Sequence, residues 1–353
     1  MAVTFKHLYA QVWDFENLWL AYQKARRGKR YDEPVARFDS NAEENILQLQ
    51  SELRDRCWTP GPYRHFYVWE PKKRRISAAP FRDRVVHHAL VNVLEPIYEA
   101  RFSGSSYACR KGKGTLAAML KAHWGVRNCA WFLKGDIVKF FPSVDHEVLL
   151  SVLQRKIADV DVLAMIRVIL DSGRGVFDDE RPPMWFAGDD LLAPALRPKG
   201  LPIGNLTSQF FANVLLNELD QFVHTRLSPR LYVRYSDDFV LFDHDRGKVE
   251  PVRGPIEECL ESLRLRMHPG KSHLRPSRQG LRFLGFRLLP STRRVARENL
   301  TRFRRRMRTC GHLRRGNRIT VARVGASVRG WLSHVDHANA SAVTRRLLSD
   351  VRF

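Results

Sequence analysis

The stretch that decides the fold is Leu231-Tyr232-Val233-Arg234-Tyr235-Ser236-Asp237-Asp238-Phe239-Val240-Leu241-Phe242. Two β-prone apolar runs flank a pair of adjacent carboxylates, which predicts a β-hairpin with Asp237 and Asp238 at or beside its turn. Neighbouring carboxylates repel each other, so such a pair is tolerated most easily at an exposed tip or beside a divalent cation, because hard cations prefer oxygen ligands. A solvated turn is the alternative interpretation, since Asp is common in turns.

The composition indicates a folded protein with a polyanionic partner. The chain has 353 residues, of which 44% are hydrophobic and 27% charged, as in globular proteins of about two or three subdomains. Its formal net charge of +23 predicts binding to nucleic acid first and to an anionic membrane surface second. The five cysteines are scattered without a CxxC pair, so we expect neither a zinc site nor disulfides, and a cytoplasmic location. No apolar run approaches the roughly 20 residues that span a bilayer, so we expect no membrane segment.

Apolar periodicity predicts where the secondary structure lies. Predicted helices cover about residues 4–24, 42–56, 81–97, 148–170, 207–226 and 255–265. The stretch 105–115 opens another predicted helix, which continues to about residue 123. Predicted strands cover residues 63–69, 76–80, 130–141 and 281–288. The segment 171–199 is predicted to be a long, mobile, partly acidic loop or β-hairpin insert, because it is rich in Gly, Pro and Asp.

Two basic stretches suit phosphate groups. Lys72-Lys73-Arg74-Arg75 lies between two predicted strands, where Lys and Arg can hold a triphosphate; a solvated charge run is the alternative. Beyond about residue 292, arginines alternate with Leu300, Phe303 and Met307, which predicts an amphipathic helix with a basic face. We expect that face to bind a duplex backbone, with a membrane surface as the rival.

The order of the motifs resembles the reverse transcriptase domain over most of the chain. Six segments agree: the basic strand-turn-strand, the strand with Asp136, the Gly-turn-helix at 200–209, the Asp237-Asp238 hairpin, the turn lysine Lys271 and the hairpin at Leu284-Gly285. The resemblance implies an α+β right-hand polymerase that copies template RNA into cDNA from a primer and dNTPs. It divides the chain into fingers (1–111 and 146–207), palm (112–145 and 208–290) and a short, basic, helical thumb (291–353).

The resemblance assigns the metal site to carboxylates on separate strands. Asp136 and Asp237, with Asp238 beside them and the carbonyl of Ile137, would hold Mg²⁺, or Mn²⁺ as an alternative, for nucleotidyl transfer with two cations. Carboxylates from different strands must therefore meet at one edge of a sheet.

Further residues match those that hold the nucleotide in this family. Lys73 and Arg75, accompanied by Lys72 and Arg74, match the residues that bind the triphosphate. Phe141 matches the aromatic steric gate that rejects a ribose 2′-hydroxyl. Lys271 matches the lysine proposed to protonate the leaving pyrophosphate.

A narrower resemblance is to the reverse transcriptases of diversity-generating retroelements, bacterial and phage enzymes related to those of group II introns. It rests on Glu16-Asn17-Leu18-Trp19, Gly61-Pro62-Tyr63-Arg64, Ile76-Ser77-Ala78, Tyr107-Ala108-Cys109-Arg110, Phe140-Phe141-Pro142-Ser143-Val144-Asp145 and Ile203-Gly204-Asn205-Leu206-Thr207-Ser208-Gln209. Ordinary reverse transcriptases usually carry Gln where Ile203 stands and Pro where Gln209 stands, so these two residues are candidates for contacts with the dNTP and the template base. The resemblance implies frequent errors opposite template adenine, and a small basic helical partner that forms a ring, the accessory variability determinant.

The sequence leaves two kinds of alternative open. One is another bacterial reverse transcriptase, such as a retron, group II intron-like or phage-defence enzyme. The other is a non-catalytic RNA-binding scaffold, against which the aspartates at 136, 237 and 238 weigh.

Overall fold

The computed structural model describes residues 4–69, 73–180 and 183–349 and consists of helices and antiparallel strands. The α-helices are α1 (Tyr9–Trp13), α2 (Phe15–Arg26), α3 (Glu33–Asp39), α4 (Ala42–Arg54), α5 (Phe81–Glu99), α6 (Thr115–Asn128), α7 (Phe140–Ser143), α8 (His146–Gln154), α9 (Val160–Asp171), α10 (Ala193–Leu196), α11 (Leu206–Phe222), α12 (Arg246–Val249), α13 (Arg253–Ser262), α14 (Arg297–Arg315), α15 (Val321–Val335) and α16 (Ser341–Ser349). The β-strands are β1 (Arg64–Trp69), β2 (Lys73–Ala78), β3 (Trp131–Asp136), β4 (Leu231–Tyr235), β5 (Asp238–Asp243), β6 (His273–Pro276), β7 (Leu281–Phe283), β8 (Phe286–Leu288) and β9 (Arg293–Val295). This mixture confirms the predicted α+β class. Among the helices in these ranges, none is both long enough and apolar enough to cross a membrane.

The chain divides into two compact units. The first comprises Met1–Cys109, Asp136–Arg226 and Gly254–His268, and the second Arg110–Gly135, Leu227–Arg253 and Pro269–Phe353. The division into fingers, palm and thumb is a functional one and stays a prediction.

The first unit is mainly helical and has α5 at its centre. Val85, Ala89 and Leu90 on this helix are fully buried, and α5 packs against α1, α2, α3 and α11. The ribbon of β1 and β2 pairs from Arg64 opposite Ala78 to Trp69 opposite Lys73, and every residue of β1 is exposed. Strand β1 therefore presents its aromatic and basic side chains to solvent.

The second unit contains the main sheet, with the strand order β4-β5-β3-β6. Val233 and Phe239 in this sheet are fully buried, and α6 packs on the sheet where its Gly125 lies against Leu231 and Phe242. A smaller sheet, β7-β8-β9, and the helices α14 to α16 follow. In the helical part, Phe303 of α14 stacks on Trp331 of α15 at a centroid distance of 3.8 Å, so α14 is amphipathic as predicted.

The predicted helices need three corrections. The helix predicted over 4–24 is two, since the side chain of Asp14 accepts hydrogen bonds from backbone amides and starts α2. The helix predicted over 148–170 is also two, because Asp159 caps α9 in the same way. Pro96 lies inside α5, which continues to Glu99 although it was predicted to end near the proline. Helix α3 was not predicted.

Three other segments also differ from the prediction. The strand predicted over 130–141 ends at Asp136, because Lys139 adopts a left-handed φ of 40° and α7 follows. The segment 171–199 contains no strand among its described residues, and Val176 and Phe177 are buried, so the β-hairpin interpretation is wrong. The strand predicted over 281–288 is two strands, β7 and β8, whose turn at Leu284-Gly285 confirms the predicted hairpin there.

We predict that Gly135, in β3, cannot be replaced by alanine without loss of stability. A Cβ at this position would overlap the ring of Phe239, which is fully buried in β5. Gly135→Ala should lower the free energy of unfolding by about 1–3 kcal/mol through overpacking. Gly254→Ala is the matched control, because a Cβ there meets no atom within 4 Å and should leave stability unchanged or raise it. Equal unfolding midpoints in denaturant for the two variants would contradict the described packing of β3 on β5.

Candidate functional site

The hairpin of β4 and β5 has a two-residue turn. Tyr235 pairs with Asp238, so Ser236 and Asp237 form the turn itself, as the sequence predicted. Ser236 has a φ of 55°, in the left-handed region that such a turn requires at its first position and that glycine usually supplies. The turn therefore stores strain of about 1–3 kcal/mol at the residue that precedes the two carboxylates.

A buried arginine is hydrogen-bonded to the backbone of this turn. Arg234 is fully buried, and its Nη1 donates a hydrogen bond of 3.2 Å to the carbonyl of Ser236. A buried guanidinium is stable only with acceptors around it, so the turn and the arginine depend on each other. Our reading of the sequence missed this role, although a charge inside an apolar strand is a signal for it.

The neighbouring strand β3 supplies a cation to the hairpin. The Nζ of Lys134 lies 3.2 Å from Oδ1 of Asp238, and both side chains are mostly buried, with 15% and 22% exposed. The same ammonium donates a hydrogen bond of 3.1 Å to the carbonyl of Arg282. Lys134 thus compensates the charge of Asp238, a second role that the sequence reading missed.

Asp136 is the last residue of β3, and Asp238 is the first residue of β5, the next strand of the sheet. The backbone beyond Asp136 is bonded to the chain after α13. The amide of His268 donates to the carbonyl of Asp136 at 2.7 Å, and the amide of Val138 donates to the carbonyl of Arg266 at 2.9 Å. Neither of these two bonds uses the carbonyl of Ile137.

The donor set of carboxylates and a carbonyl is the kind that hard divalent cations prefer. In the described ranges, no three His, Cys, Asp or Glu side chains form a complete metal site. Magnesium in phosphate-transfer sites is held by one or two carboxylates together with waters and substrate phosphates, not by a protein cage. Asp136, Asp237 and the carbonyl of Ile137 offer oxygens of this kind, and their joint role as cation ligands stays a prediction.

The predicted steric gate, Phe141, lies in α7 and is half-buried. Its ring packs edge-on against Phe140, with centroids 5.3 Å apart. Its carbonyl accepts a hydrogen bond of 2.8 Å from the amide of Leu201. Phe141 is thus bonded to the segment that leads to Ile203.

The turn with Ile203 docks on β2. The amide of Ser77 donates to the carbonyl of Ile203 at 2.8 Å, and the side chain of Asn205 donates to the carbonyl of Ser77 at 2.9 Å. Gly204, with a φ of 116°, lies so close to β2 that a Cβ would be 2.7 Å from Cγ2 of Ile76. Asn205 is also the residue before α11, and Gln209 is exposed in the first turn of that helix.

Strand β2 carries the two predicted triphosphate ligands, while Lys72 lies outside the described residues. The Nζ of Lys73 lies 4.2 Å from the ring centroid of Tyr67, and the Nη1 of Arg75 donates to the carbonyl of Val176 at 3.1 Å. The strand that contains Arg75 is therefore also the strand to which the Ile203 turn is bonded.

Lys271 is exposed in the turn that precedes β6. In that strand, burial and the neighbouring Arg275 and Lys134 lower the pKa of His273, which keeps this imidazole neutral at pH 7. The predicted site residues are distributed over both units: Lys73, Arg75, Asp136, Ile137, Phe141, Ile203 and Gln209 in the first, and Asp237, Asp238 and Lys271 in the second.

Comparison with known proteins gives one family and several relatives. Residues 70–288 match the family described as "Reverse transcriptase (RNA-dependent DNA polymerase)". Protein YkfC of Escherichia coli (strain K12) is 26% identical over 284 residues, which is 68% of this chain and 70% of YkfC. The mitochondrial nuclear intron maturase 2 of Arabidopsis thaliana is 27% identical over 281 residues, 66% of this chain and 37% of the maturase. The group II intron-encoded protein LtrA of Lactococcus lactis subsp. cremoris is 28% identical over 190 residues, 52% of this chain and 29% of LtrA.

We predict that the strain at Ser236 can be measured by substitution. Ser236→Gly should preserve or raise the free energy of unfolding, whereas Ser236→Val should lower it by about 1–3 kcal/mol, because a β-branched residue is unfavourable at positive φ. Denaturant unfolding of the two variants measures the difference. Equal stability of the glycine and valine variants would show that the residue does not adopt the left-handed conformation.

Proposed function

Because this chain belongs to the reverse transcriptase family, we propose that it extends a primer along template RNA with dNTPs through Asp136, Asp237 and Asp238. Membership also confirms the predicted right-hand polymerase fold. The observation that carries the proposal is the strained turn of Ser236 and Asp237 between β4 and β5. Strand β5 is the neighbour of β3, the strand that ends in Asp136.

The carboxylates would hold Mg²⁺, which when bound stabilises the attacking primer oxygen and the leaving phosphate oxygen. Asp136 and Asp237 offer the oxygens, and Ile137 offers a carbonyl. Asp238 would join them beside the cations, and Lys134, 3.2 Å away, offsets part of its charge. Arg234 keeps the turn in place while the nucleotide enters.

The nucleotide would be oriented by the residues on and around β2. Lys73 and Arg75 offer cationic donors to the triphosphate, and the ring of Tyr67 orients the ammonium of Lys73 before the nucleotide arrives. Phe141 would exclude a ribose 2′-hydroxyl by its bulk. Lys271 would give a proton to the leaving pyrophosphate.

We predict that Asp237→Asn lowers the rate of dNTP incorporation at least about a hundred-fold while binding of an RNA–DNA template-primer is retained. Primer extension measures the rate, and a filter or fluorescence assay measures binding. Asp243→Asn, at the opposite end of β5, is the matched control and should extend primers at the wild-type rate. Wild-type incorporation by Asp237→Asn would refute the catalytic assignment, and RNA binding without any wild-type incorporation would favour the scaffold alternative.

We propose further that the enzyme copies its RNA with frequent errors opposite adenine, as diversity-generating retroelements do, for mutagenic retrohoming with an accessory variability determinant. The support lies in Ile203 and Gln209. The turn of Ile203 is bonded to β2, the strand of Arg75, and its half-buried aliphatic side chain cannot make the polar contact that Gln would make. The nascent base pair would therefore be held less strictly.

A group II intron-like function is the second candidate. It is favoured by the names of two relatives, a nuclear intron maturase and a group II intron-encoded protein. This chain spans only 37% and 29% of those proteins, so the function of the whole relatives does not transfer directly.

We predict that Ile203→Gln lowers the error rate opposite template adenine by about ten-fold, because one added hydrogen bond contributes about 1–1.5 kcal/mol to discrimination. Sequencing of cDNA from a defined RNA template measures the rate. Ile203→Val is the matched control and should keep the wild-type rate. An unchanged rate for Ile203→Gln would refute this role, and a wild-type enzyme without excess errors at adenine would favour the intron-like candidate.

A further inference from the structure

A buried charge cluster lies in the first unit, apart from the carboxylates of the sheet. Asp145 is fully buried, and its Oδ2 lies 2.7 Å from Nη1 of Arg264 and 3.2 Å from Nε of Arg197. Its Oδ1 accepts hydrogen bonds from the amides of Glu147 and Val148 at the start of α8. One carboxylate thus joins α8, the chain just after α13 and the end of the 171–199 segment.

Arg197 also closes the segment on itself. Its Nη2 forms an ion pair with Asp189, and only 7% and 5% of these two side chains are exposed. Asp189 in turn accepts a hydrogen bond of 2.7 Å from the amide of Phe186. Two guanidinium groups lie near the ring of Phe186, at 5.5 Å (Arg197) and 5.2 Å (Arg266) from its centroid.

The cluster adjoins two paired stretches of backbone, which extend from Asp145 to Phe141, one of the residues predicted to contact the nucleotide. The chain from 198 to 201 runs along the chain from 141 to 146, with hydrogen bonds from His146 to Pro198, from Gly200 to Val144 and from Leu201 to Phe141. Their lengths are 3.0, 2.8 and 2.8 Å. Ile203 follows two residues later, so this pairing holds the steric gate and the Ile203 turn in one register.

The 171–199 segment contacts two more cationic residues of this region. The carbonyl of Val176 accepts from Arg75, and the carbonyl of Glu180 accepts from Lys139, the left-handed residue before α7. The first part of the segment is therefore bonded both to β2 and to the residue that precedes α7.

We propose that Arg197 is a positioning residue for the incoming nucleotide, an inference that rests on the proposed function. Through Asp145 and Asp189 it fixes the 198–201 chain against 141–146, and so sets the place of Phe141 and Ile203. The planar guanidinium is required, because a lysine keeps the charge but cannot bond both carboxylates at once in the same geometry. Buried ion pairs of this kind hold their segments only while every partner is present.

The test uses the full chain with a preformed RNA–DNA template-primer. Arg197→Lys should raise the KM for dNTP and lower the selection of dNTP over rNTP, each by about ten-fold, because small displacements of positioning groups cost rate. Its dissociation constant for the template-primer should stay at the wild-type value. Arg174→Lys is the matched control: this arginine of the same segment is exposed, pairs with the exposed Asp171 at 3.0 Å, and should behave as wild type.

A second variant covers the case in which Arg197→Lys does not fold. Asp189→Asn leaves the pair of Asp145 and Arg264 in place and should shift KM and selection in the same direction by a smaller factor. A folded variant of either kind with wild-type KM and selection would overturn the proposal. Equal losses of template-primer affinity and nucleotide affinity would also overturn it, since they would mark a general structural role. A wild-type enzyme that incorporates no dNTP would instead refute the proposed function itself.

Discussion

The ion pair of Lys134 and Asp238 is the interaction on which the carboxylate edge of the sheet depends. Two adjacent carboxylates at a two-residue turn repel each other, and the turn is already strained at Ser236. The ammonium from β3 lowers that repulsion, while Arg234 behind the turn bonds its backbone. Charge on the neighbouring strand thus lets β5 begin with a carboxylate beside the strand that ends in Asp136.

In the first unit, arginine side chains compensate the charge of a buried carboxylate. Asp145 is fully buried, which would be costly for a lone carboxylate, but two guanidinium groups and two backbone amides surround it. The hydrogen bond to Asp145 raises the pKa of Arg264, and the one from Arg197 lowers the pKa of Asp189, so these charges persist across the working range of pH. The chain has a net charge of +23, and Asp238, Asp145 and Asp189 each form an ion pair with a Lys or Arg side chain.

The sequence predicted structure that depends on neighbouring residues, and it missed contacts between segments that are far apart in the chain. The hairpin at 231–242 was predictable because two β-prone apolar runs and the pair of turn residues between them are consecutive in the sequence. The strand around Asp136 was also predicted, but its end at Asp136 was not, because the left-handed Lys139 and the short helix α7 depend on bonds to the 198–201 chain. The anchoring of the 171–199 segment needs Asp145, more than forty residues earlier, so its composition alone indicated only a loop. Lys134 and Arg234 are charged residues within apolar strands, but the sequence alone does not identify their partners.

The most direct test is whether Asp136 and Asp237 act on the same cations. Single-turnover rates of dNTP incorporation would be measured for Asp136→Glu, Asp237→Glu and the double variant, all bound to the same template-primer. If both carboxylates serve one site, the double variant should be about as slow as the slower single variant, because residues that act as a unit are not additive. Losses that multiply in the double variant would show that the two carboxylates act independently and would contradict a shared polymerase site.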